Sequence, residues 1–161
     1  MRSMKLLALL AAAGLVLAAC GDDDDSPAAT GGDATTTTAG EETAPADATV
    51  AVASNDELGD YLVDAEGRTL YLFEQDQGTT TACTGGCADN WPPLVAESPT
   101  GGDGIDAGEL STADGIEPNQ VTYHGHLLYY FAGDEAPGDT NGTSIPAWFA
   151  VDPAGEAIEL G

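Results

Sequence analysis

Short runs rich in β-branched, aliphatic and aromatic residues recur from residue 50 onward, and glycine, proline, asparagine or aspartate bounds most of them. This pattern is typical of β-strands joined by turns, because such side chains pack well on a pleated surface. No long window carries a helical stripe, and Pro92 and Pro93 limit any helix within 88–96 to about a turn. The predicted strands are 50–53, 61–63, 69–73, 120–123, 127–131, 148–151 and 157–160.

The two strands 69–73 and 127–131 are apolar on both faces. Alternate residues of a strand point to opposite sides, so Tyr71 and Phe73 share one face while Leu70 and Leu72 share the other. Burial on both sides is typical of a sandwich or a barrel-like fold. Between 97 and 119 glycine, aspartate, serine and proline dominate, which predicts a long surface loop.

The chain contains an internal duplication. Residues 67–76 match residues 125–134, with glycine, leucine, tyrosine, phenylalanine and aspartate at the same places. Trp91 and Trp148 follow the two segments at nearly the same spacing. We therefore predict an all-β, pseudo-duplicated hairpin-repeat domain over 50–161, with copies around 58–96 and 116–152.

A fragment of a third copy closes the chain, because residues 151–155 resemble residues 63–67. The repeated glycines, Gly67 and Gly125, each lie between two β-rich runs. A tight hairpin at such a place needs a residue that adopts positive φ without strain, which predicts a turn at each glycine.

The N-terminus is typical of an export signal. Arg2 and Lys5 precede the apolar run 6–19, which is shorter than the ~20 residues of a membrane-spanning helix. The run ends in Leu-Ala-Ala-Cys20, which resembles the lipobox of bacterial lipoproteins. That resemblance implies a signal peptide over 1–19, acyl chains such as palmitate on Cys20, and an extracytoplasmic domain anchored to the cell membrane. An ordinary secretory signal that happens to end in cysteine is the alternative.

Segment 20–49 is predicted to be a disordered tether, because threonine, alanine and acidic residues dominate it and it cannot bury a core. Overall, 28 acidic residues face 3 basic ones, for a net charge of −25. This balance argues against a nucleic-acid partner, since phosphate backbones are bound by clusters of lysine and arginine.

The duplicated segments resemble the bacterial secreted-repeat lipoproteins, whose mark is a tandem Tyr-x-(Phe/Trp/Tyr)-x-x-Asp motif. Family resemblance implies the repeat fold and the exported location, and it carries over no catalytic residue because the family's function is generally unknown. The motif residues here are Tyr71, Phe73 and Asp76 in the first copy, and Tyr129, Phe131 and Asp134 in the second.

Asp76 and Asp134 fall just beyond the two strands. There a carboxylate can accept hydrogen bonds from turn N–H groups or from a tyrosine hydroxyl. A structural role is therefore favoured. The alternative is that the two tyrosine–aspartate pairs form a symmetric ligand site.

With Cys20 assigned to lipid, Cys83 and Cys87 are an even pair in an oxidising compartment, which favours a structural disulfide. A redox or metal-binding role is the alternative. His124 and His126 are weak candidates for copper or zinc, and surface turn residues are the favoured interpretation. Single calcium-like fragments at 101–106 and 139–142 leave weak cation binding open.

The sequence has no recognisable enzyme motif such as a P-loop, a nucleophile elbow or a zinc-protease helix. We therefore expect no cofactor and a non-enzymatic binding or envelope-interaction module, with an unidentified envelope component or small molecule as its ligand. The alternative is an extracytoplasmic redox or metal-handling lipoprotein that uses Cys83 and Cys87.

Overall fold

The computed structural model describes residues 48–161. The predicted signal peptide 1–19, the lipidation site Cys20 and the tether up to residue 47 lie outside the described residues. Within 48–161, no helix has both the length and the apolar character to cross a membrane.

Short antiparallel strands dominate the domain, which confirms the all-β prediction. The elements are β1 (Ala51–Asn55), β2 (Gly59–Val63), β3 (Tyr71–Phe73), α1 (Gly86–Asn90), β4 (Leu110–Ala113), β5 (Gln120–Tyr123), β6 (His126–Leu127), a 3-10 turn (Asn141–Ser144) and β7 (Trp148–Ala150). Strand β1 pairs with β2, β3 pairs with β7, and β5 lies between β4 and β6. The strands of the described part form small separate sheets and do not close into a barrel.

Most strand ends differ from the sequence prediction by one or two residues, and three differences are larger. Strand β4 lies inside the predicted loop 97–119, where its residues pair with β5 from Leu110 opposite Tyr123 to Ala113 opposite Gln120. Strand β6 ends at Leu127, and beyond it Tyr129 makes only isolated bridges. The predicted strand 157–160 is reduced to one bridge between Val151 and Ala157.

The two repeats interlock around Tyr71 and Tyr129. The backbone N–H of each tyrosine donates to the carbonyl of the other, at 2.9 Å in both directions. Tyr71 also lies opposite Ala150 of the second copy, and Tyr129 lies opposite Pro93 of the first. Each repeat is therefore completed by a strand from the other, in the same register, as in a local twofold relation.

The turn glycines adopt the predicted positive φ, at 82° for Gly67 and 83° for Gly125. Gly155 of the third fragment has φ 81°. In its turn Asp152 Oδ1 accepts from the backbone N–H groups two and four residues later, as Asp64 Oδ1 does in the first copy. The third fragment therefore repeats the turn of the first copy.

The core is divided between the two faces of the strands, as the alternation predicts. One cluster contains Tyr71, Tyr129 and both tryptophans, with Phe73 and Phe131 packed against it. The other contains Leu70, Leu72 and Leu128. The motif residues consequently meet on one side of the interlocked strands.

Candidate functional site

An aromatic stack lies at the centre of the repeat interface. Phe73 stacks on Trp148 at 4.3 Å between ring centroids, Trp148 stacks on Trp91 at 3.7 Å, and Trp91 contacts Phe131 at 4.5 Å. The two tryptophan planes are inclined by only 2°. Each phenylalanine therefore packs against the tryptophan of the other repeat, and the tryptophans meet between them.

Each motif tyrosine contacts this stack in a T-shaped arrangement. The Tyr71 ring lies 5.4 Å from Trp91, and the Tyr129 ring lies 5.1 Å from Trp148. Edge-to-face contacts of this kind contribute beyond the area they bury, because a positive ring edge meets a negative ring face. Each tryptophan of the central pair is thus contacted by one motif tyrosine.

The motif aspartates bind the tyrosines of the opposite repeat. The Tyr71 hydroxyl donates to Asp134 Oδ2 at 2.6 Å, and the Tyr129 hydroxyl donates to Asp76 Oδ2 at 2.7 Å. The remaining oxygen of each carboxylate accepts a backbone N–H, from Ala82 for Asp76 and from Asn141 for Asp134. Both hydrogen-bonding roles expected of these aspartates are therefore present, and the motif exchanges its partners between the copies.

The local environment keeps the two phenols neutral. Burial raises the pKa of Tyr71 well above its ordinary value, and the hydrogen bond to Asp134 raises it further. Burial likewise raises the pKa of Tyr129, and Thr81 opposes part of that shift. Burial also raises the pKa of Asp134, with the Tyr71 hydroxyl opposing the shift. Both tyrosines are hydrogen-bond donors at neutral pH.

A third tyrosine–aspartate contact escaped the sequence analysis. The Tyr130 hydroxyl donates to Asp64 Oδ2 at 2.9 Å, and Arg68 Nε donates to the same oxygen at 2.9 Å. The Arg68 guanidinium also lies 4.0 Å from the centroid of the Tyr130 ring. The sequence feature that points to this contact is Arg68, which is the sole basic residue after residue 5 and directly follows a turn glycine.

Cys83 and Cys87 form a disulfide, which confirms the predicted bond. The side chain of Cys83 is fully buried in the aromatic cluster, and Cys87 lies in α1 and is partly buried. The backbone N–H of Cys83 donates to Thr81 Oγ1, which also contacts the Tyr129 hydroxyl. The disulfide therefore braces the loop that supports Tyr129.

The histidines lie apart from the aromatic cluster, with His124 in the β5–β6 turn and His126 at the start of β6. His124 and His126 are both exposed, and His124 Nδ1 lies 3.7 Å from Glu109 Oε2. The part of the chain that the structure describes contains no group of three or more histidine, cysteine or acidic residues arranged to hold a metal. The histidines are thus placed in the surface turn that the sequence favours.

The carboxylates of the described domain fall into two groups. Fifteen of its 20 acidic residues are exposed, and the other five are at least partly buried. Each of these five accepts hydrogen bonds from backbone N–H groups. Over 48–161, every buried side-chain nitrogen or oxygen has a hydrogen-bond partner. The five inward residues are Asp64, Asp76, Asp134, Asp139 and Asp152.

A surface cleft of about 370 Å³ lies against β1. Val52 and Pro153 form part of its apolar lining, and Asp60 and Asp103 contribute carboxylates. Both carboxylates are exposed, so the cleft offers a small apolar floor with a negative rim.

Comparison with known proteins identifies the repeat. The model of a family described as a secreted repeat of unknown function (Lipoprotein_15) matches residues 52–95 and residues 111–152. Each matched segment contains one complete tyrosine–aspartate motif and one tryptophan of the central stack. No curated protein and no solved structure matches the chain.

Proposed function

The chain belongs to this secreted-repeat family, and from that premise we propose that its domain is a non-enzymatic binding or envelope-interaction module. Secreted repeats work outside the cytoplasm, so the partner is an extracytoplasmic one. The observation that carries the proposal is that the carboxylates of the domain divide into an inward group and a larger exposed group. The inward aspartates hold turns and tyrosines, and fifteen carboxylates are exposed on the surface, where a partner can reach them.

The surface charge favours a cationic partner. From residue 50 onward, 20 acidic residues face one basic residue, Arg68, which gives a net charge of −19. Arg68 is exposed but is itself paired with the buried Asp64, at 2.7 Å. A strongly negative surface attracts positively charged groups and repels anionic ones, so charge complementarity selects the partner. The cleft beside Asp60 and Asp103 gives a basic group of the partner a place to enter.

Cross-linking on intact cells tests the module. We expect a defined basic component to be captured by the native chain and capture to fall in the double variant Asp60→Asn, Asp103→Asn. The matched control is Asp114→Asn with Glu117→Gln, which removes the same charge from exposed positions that do not line the cleft. Equal capture by all three proteins, or turnover of a substrate by the purified chain, would contradict the proposal.

Anchoring by lipid on Cys20 is the second part of the proposal, and the Leu-Ala-Ala-Cys20 sequence supports it. Two or three acyl chains hold a protein stably at a bilayer, since each buried methylene contributes ~0.8 kcal/mol. We expect Cys20→Ser to remove the acyl mass and to release the protein into the soluble exported fraction. A Cys20→Ser protein that stays on the membrane through high salt would contradict the anchor.

The disulfide favours one alternative, an extracytoplasmic redox or metal-handling role for Cys83 and Cys87. Thiol exchange requires an accessible sulfur, and Cys83 is fully buried while Cys87 is partly buried, so Cys83 is shielded from attack. Thiol titration separates the two functions. A structural bond stays closed in folded protein treated with glutathione, whereas a redox pair opens and closes reversibly without loss of fold.

A further inference from the structure

The aromatic cluster brings together the side chains that lose a single electron most readily, indole and phenol. Its two indole rings are in parallel contact at 3.7 Å, and a phenol ring makes a T-shaped contact with each, at 5.4 Å from Trp91 and 5.1 Å from Trp148. Each phenol already donates its proton to a carboxylate, at 2.6 and 2.7 Å. The internal duplication repeats this pairing, so each half of the cluster contains a phenol that is hydrogen-bonded to a carboxylate.

We propose that this cluster is an electron-donating site that passes an oxidising equivalent from the Trp91–Trp148 pair to Tyr71 or Tyr129. The oxidant is a small inorganic one-electron radical of the extracytoplasmic space. This activity is independent of the binding function proposed above, since it uses buried groups and no exposed carboxylate.

The step balances in atoms and electrons. The oxidant radical takes one electron from the indole pair and is reduced to its anion, which leaves an indole radical cation. Tyr71 then gives one electron to that indole, its O–H bond breaks, and the proton forms a new O–H bond on Asp134 Oδ2. The products are a neutral indole, a neutral phenoxyl radical and a carboxylic acid. In the equivalent step Tyr129 gives one electron to Trp148, and Asp76 Oδ2 accepts the proton.

The geometry favours the transfer in this direction. A phenol loses an electron more easily when its proton can leave in the same step, and the acceptor oxygen is already within hydrogen-bond distance. The parallel indoles share the positive charge between two rings before the tyrosine responds. No net charge is created inside the protein by the tyrosine step, which avoids the cost of burying an ion.

Burial of the two indoles favours transfer of an electron to the oxidant over addition of the oxidant to the indole carbons. Trp91 and Trp148 are each only 4% exposed, so an oxidant cannot readily reach the indole carbons to form a bond. Phe73 and Phe131 cover the outer faces of the stack and are partly exposed. An electron can cross one aromatic ring without contact between oxidant and indole.

Pulse radiolysis of the full-length chain in azide solution tests the proposal, because the azide radical oxidises tryptophan preferentially. We expect the tryptophan radical absorbance to decay as the phenoxyl absorbance grows, at one rate that does not depend on protein concentration. In heavy water the same step slows, since a proton moves with the electron. This isotope comparison uses the unmodified protein and so does not depend on any variant folding.

Variants of the two tyrosines identify which phenol gives the electron. Tyr71→Phe and Tyr129→Phe should each roughly halve the phenoxyl yield, and the double variant should lose it. The matched control is Tyr123→Phe, which removes a fully buried hydroxyl that bonds only backbone groups of Asp106 and Pro153. Asp134→Asn should slow phenoxyl formation on Tyr71, and Asp76→Asn should slow it on Tyr129.

Three results would overturn the proposal. One is a tryptophan radical that decays without phenoxyl growth. Another is equal rates in light and heavy water. The third is an undiminished phenoxyl yield in the folded double variant Tyr71→Phe, Tyr129→Phe.

Discussion

At the residue scale, the fold depends on phenols that stay protonated. Tyr71 and Tyr129 are fully buried, and each donates to a carboxylate. Their pKa values in the folded protein lie above the ordinary value of about 10. The folded state therefore holds both phenolic protons at pH values where the unfolded chain releases them.

Stability should consequently fall at high pH. The contribution of both tyrosines is fully present below about pH 10 and is lost above it, at up to ~1.4 kcal/mol per pH unit for each phenol. The sign follows because the unfolded state binds fewer protons there than the native state. Urea unfolding across the alkaline range, with phenolate absorbance as a second probe, measures this. Ionisation of both phenols near their ordinary pKa in a protein that stays folded would contradict the prediction.

The exchanged hydrogen bonds should also be detectable as pairwise coupling. Tyr129→Phe leaves Asp76 Oδ2 without its tyrosine donor, and we expect a loss of about 1–3 kcal/mol in the free energy of unfolding. Asp76→Asn should cost a similar amount, and the double variant should lose less than the sum, because both changes remove one contact.

Tyr71→Phe with Asp76→Asn is the mismatched control. The Tyr71 hydroxyl bonds Asp134 rather than Asp76, so these two losses should add within about 0.5 kcal/mol. Equal coupling for the matched and mismatched pairs would mean that the hydrogen bonds do not cross between repeats as observed.

The sequence predicted the chemistry of these aspartates but not their partners. A carboxylate just after a strand is expected to accept N–H or O–H donors, and Asp76 and Asp134 do both. Which tyrosine each one binds depends on how the copies pack, which local pattern does not encode. Asp64 and Tyr130 were missed for the same reason, since they come from different repeats.

At the element scale, each phenylalanine packs its own repeat against a tryptophan of the other repeat. Phe73 lies directly opposite Trp148 in the β3–β7 pair, and Phe131 packs on Trp91. The sequence predicts equivalent core positions for the two phenylalanines, and both rings are partly buried rather than fully enclosed. Their contribution should therefore be smaller than that of a fully enclosed ring.

We expect Phe73→Ala and Phe131→Ala each to lower the free energy of unfolding by about 2 kcal/mol, below the range for a fully buried phenylalanine. The two values should agree closely because the two contacts are related by the repeat. Val95→Ala is a control on an exposed apolar side chain in the same interlocked region and should change little. Urea denaturation of the three variants measures the differences, and strongly unequal phenylalanine losses would contradict the symmetric stack.

Strand bounds were the least predictable feature of the elements. The residues of β4 include a single large apolar side chain, Leu110, so periodicity gave no strand signal. Its pairing with β5 makes it a strand, which is a tertiary effect. At 128–131 the reverse holds, because the residues favour a strand but the chain forms no continuous ladder. Tyr129 makes one isolated bridge to Tyr71 and another to Pro93.

At the scale of the whole molecule, self-comparison of the sequence revealed the duplication, and the matched regions 52–95 and 111–152 confirm it. Self-comparison did not reveal that the copies complete each other. A repeat in sequence is equally compatible with two side-by-side units. The reciprocal bonds between Tyr71 and Tyr129 distinguish the interlocked arrangement.

Charge is the other property of the whole domain with a direct physical consequence. The net charge of −19 from residue 50 onward is spread over a small surface, and the sole cation there, Arg68, is bonded to Asp64. Like charges held together by folding repel one another, and this repulsion lowers the stability of the compact state. Fifteen exposed carboxylates contribute to the repulsion in the described domain.

Salt should therefore stabilise the protein. The Debye length falls from ~30 Å at ~0.01 M ionic strength to ~3 Å at ~1 M, so added NaCl screens the repulsion between exposed carboxylates. We expect the Tm to rise steadily across an NaCl series, and a smaller rise in a variant with several exposed carboxylates changed to amides. Calcium added at constant ionic strength is the control for specific cation sites, for which the fragments at 101–106 and 139–142 are the weak candidates. A flat or falling Tm across the NaCl series would contradict the repulsion argument, and a rise with calcium alone would assign the stabilisation to bound cations instead.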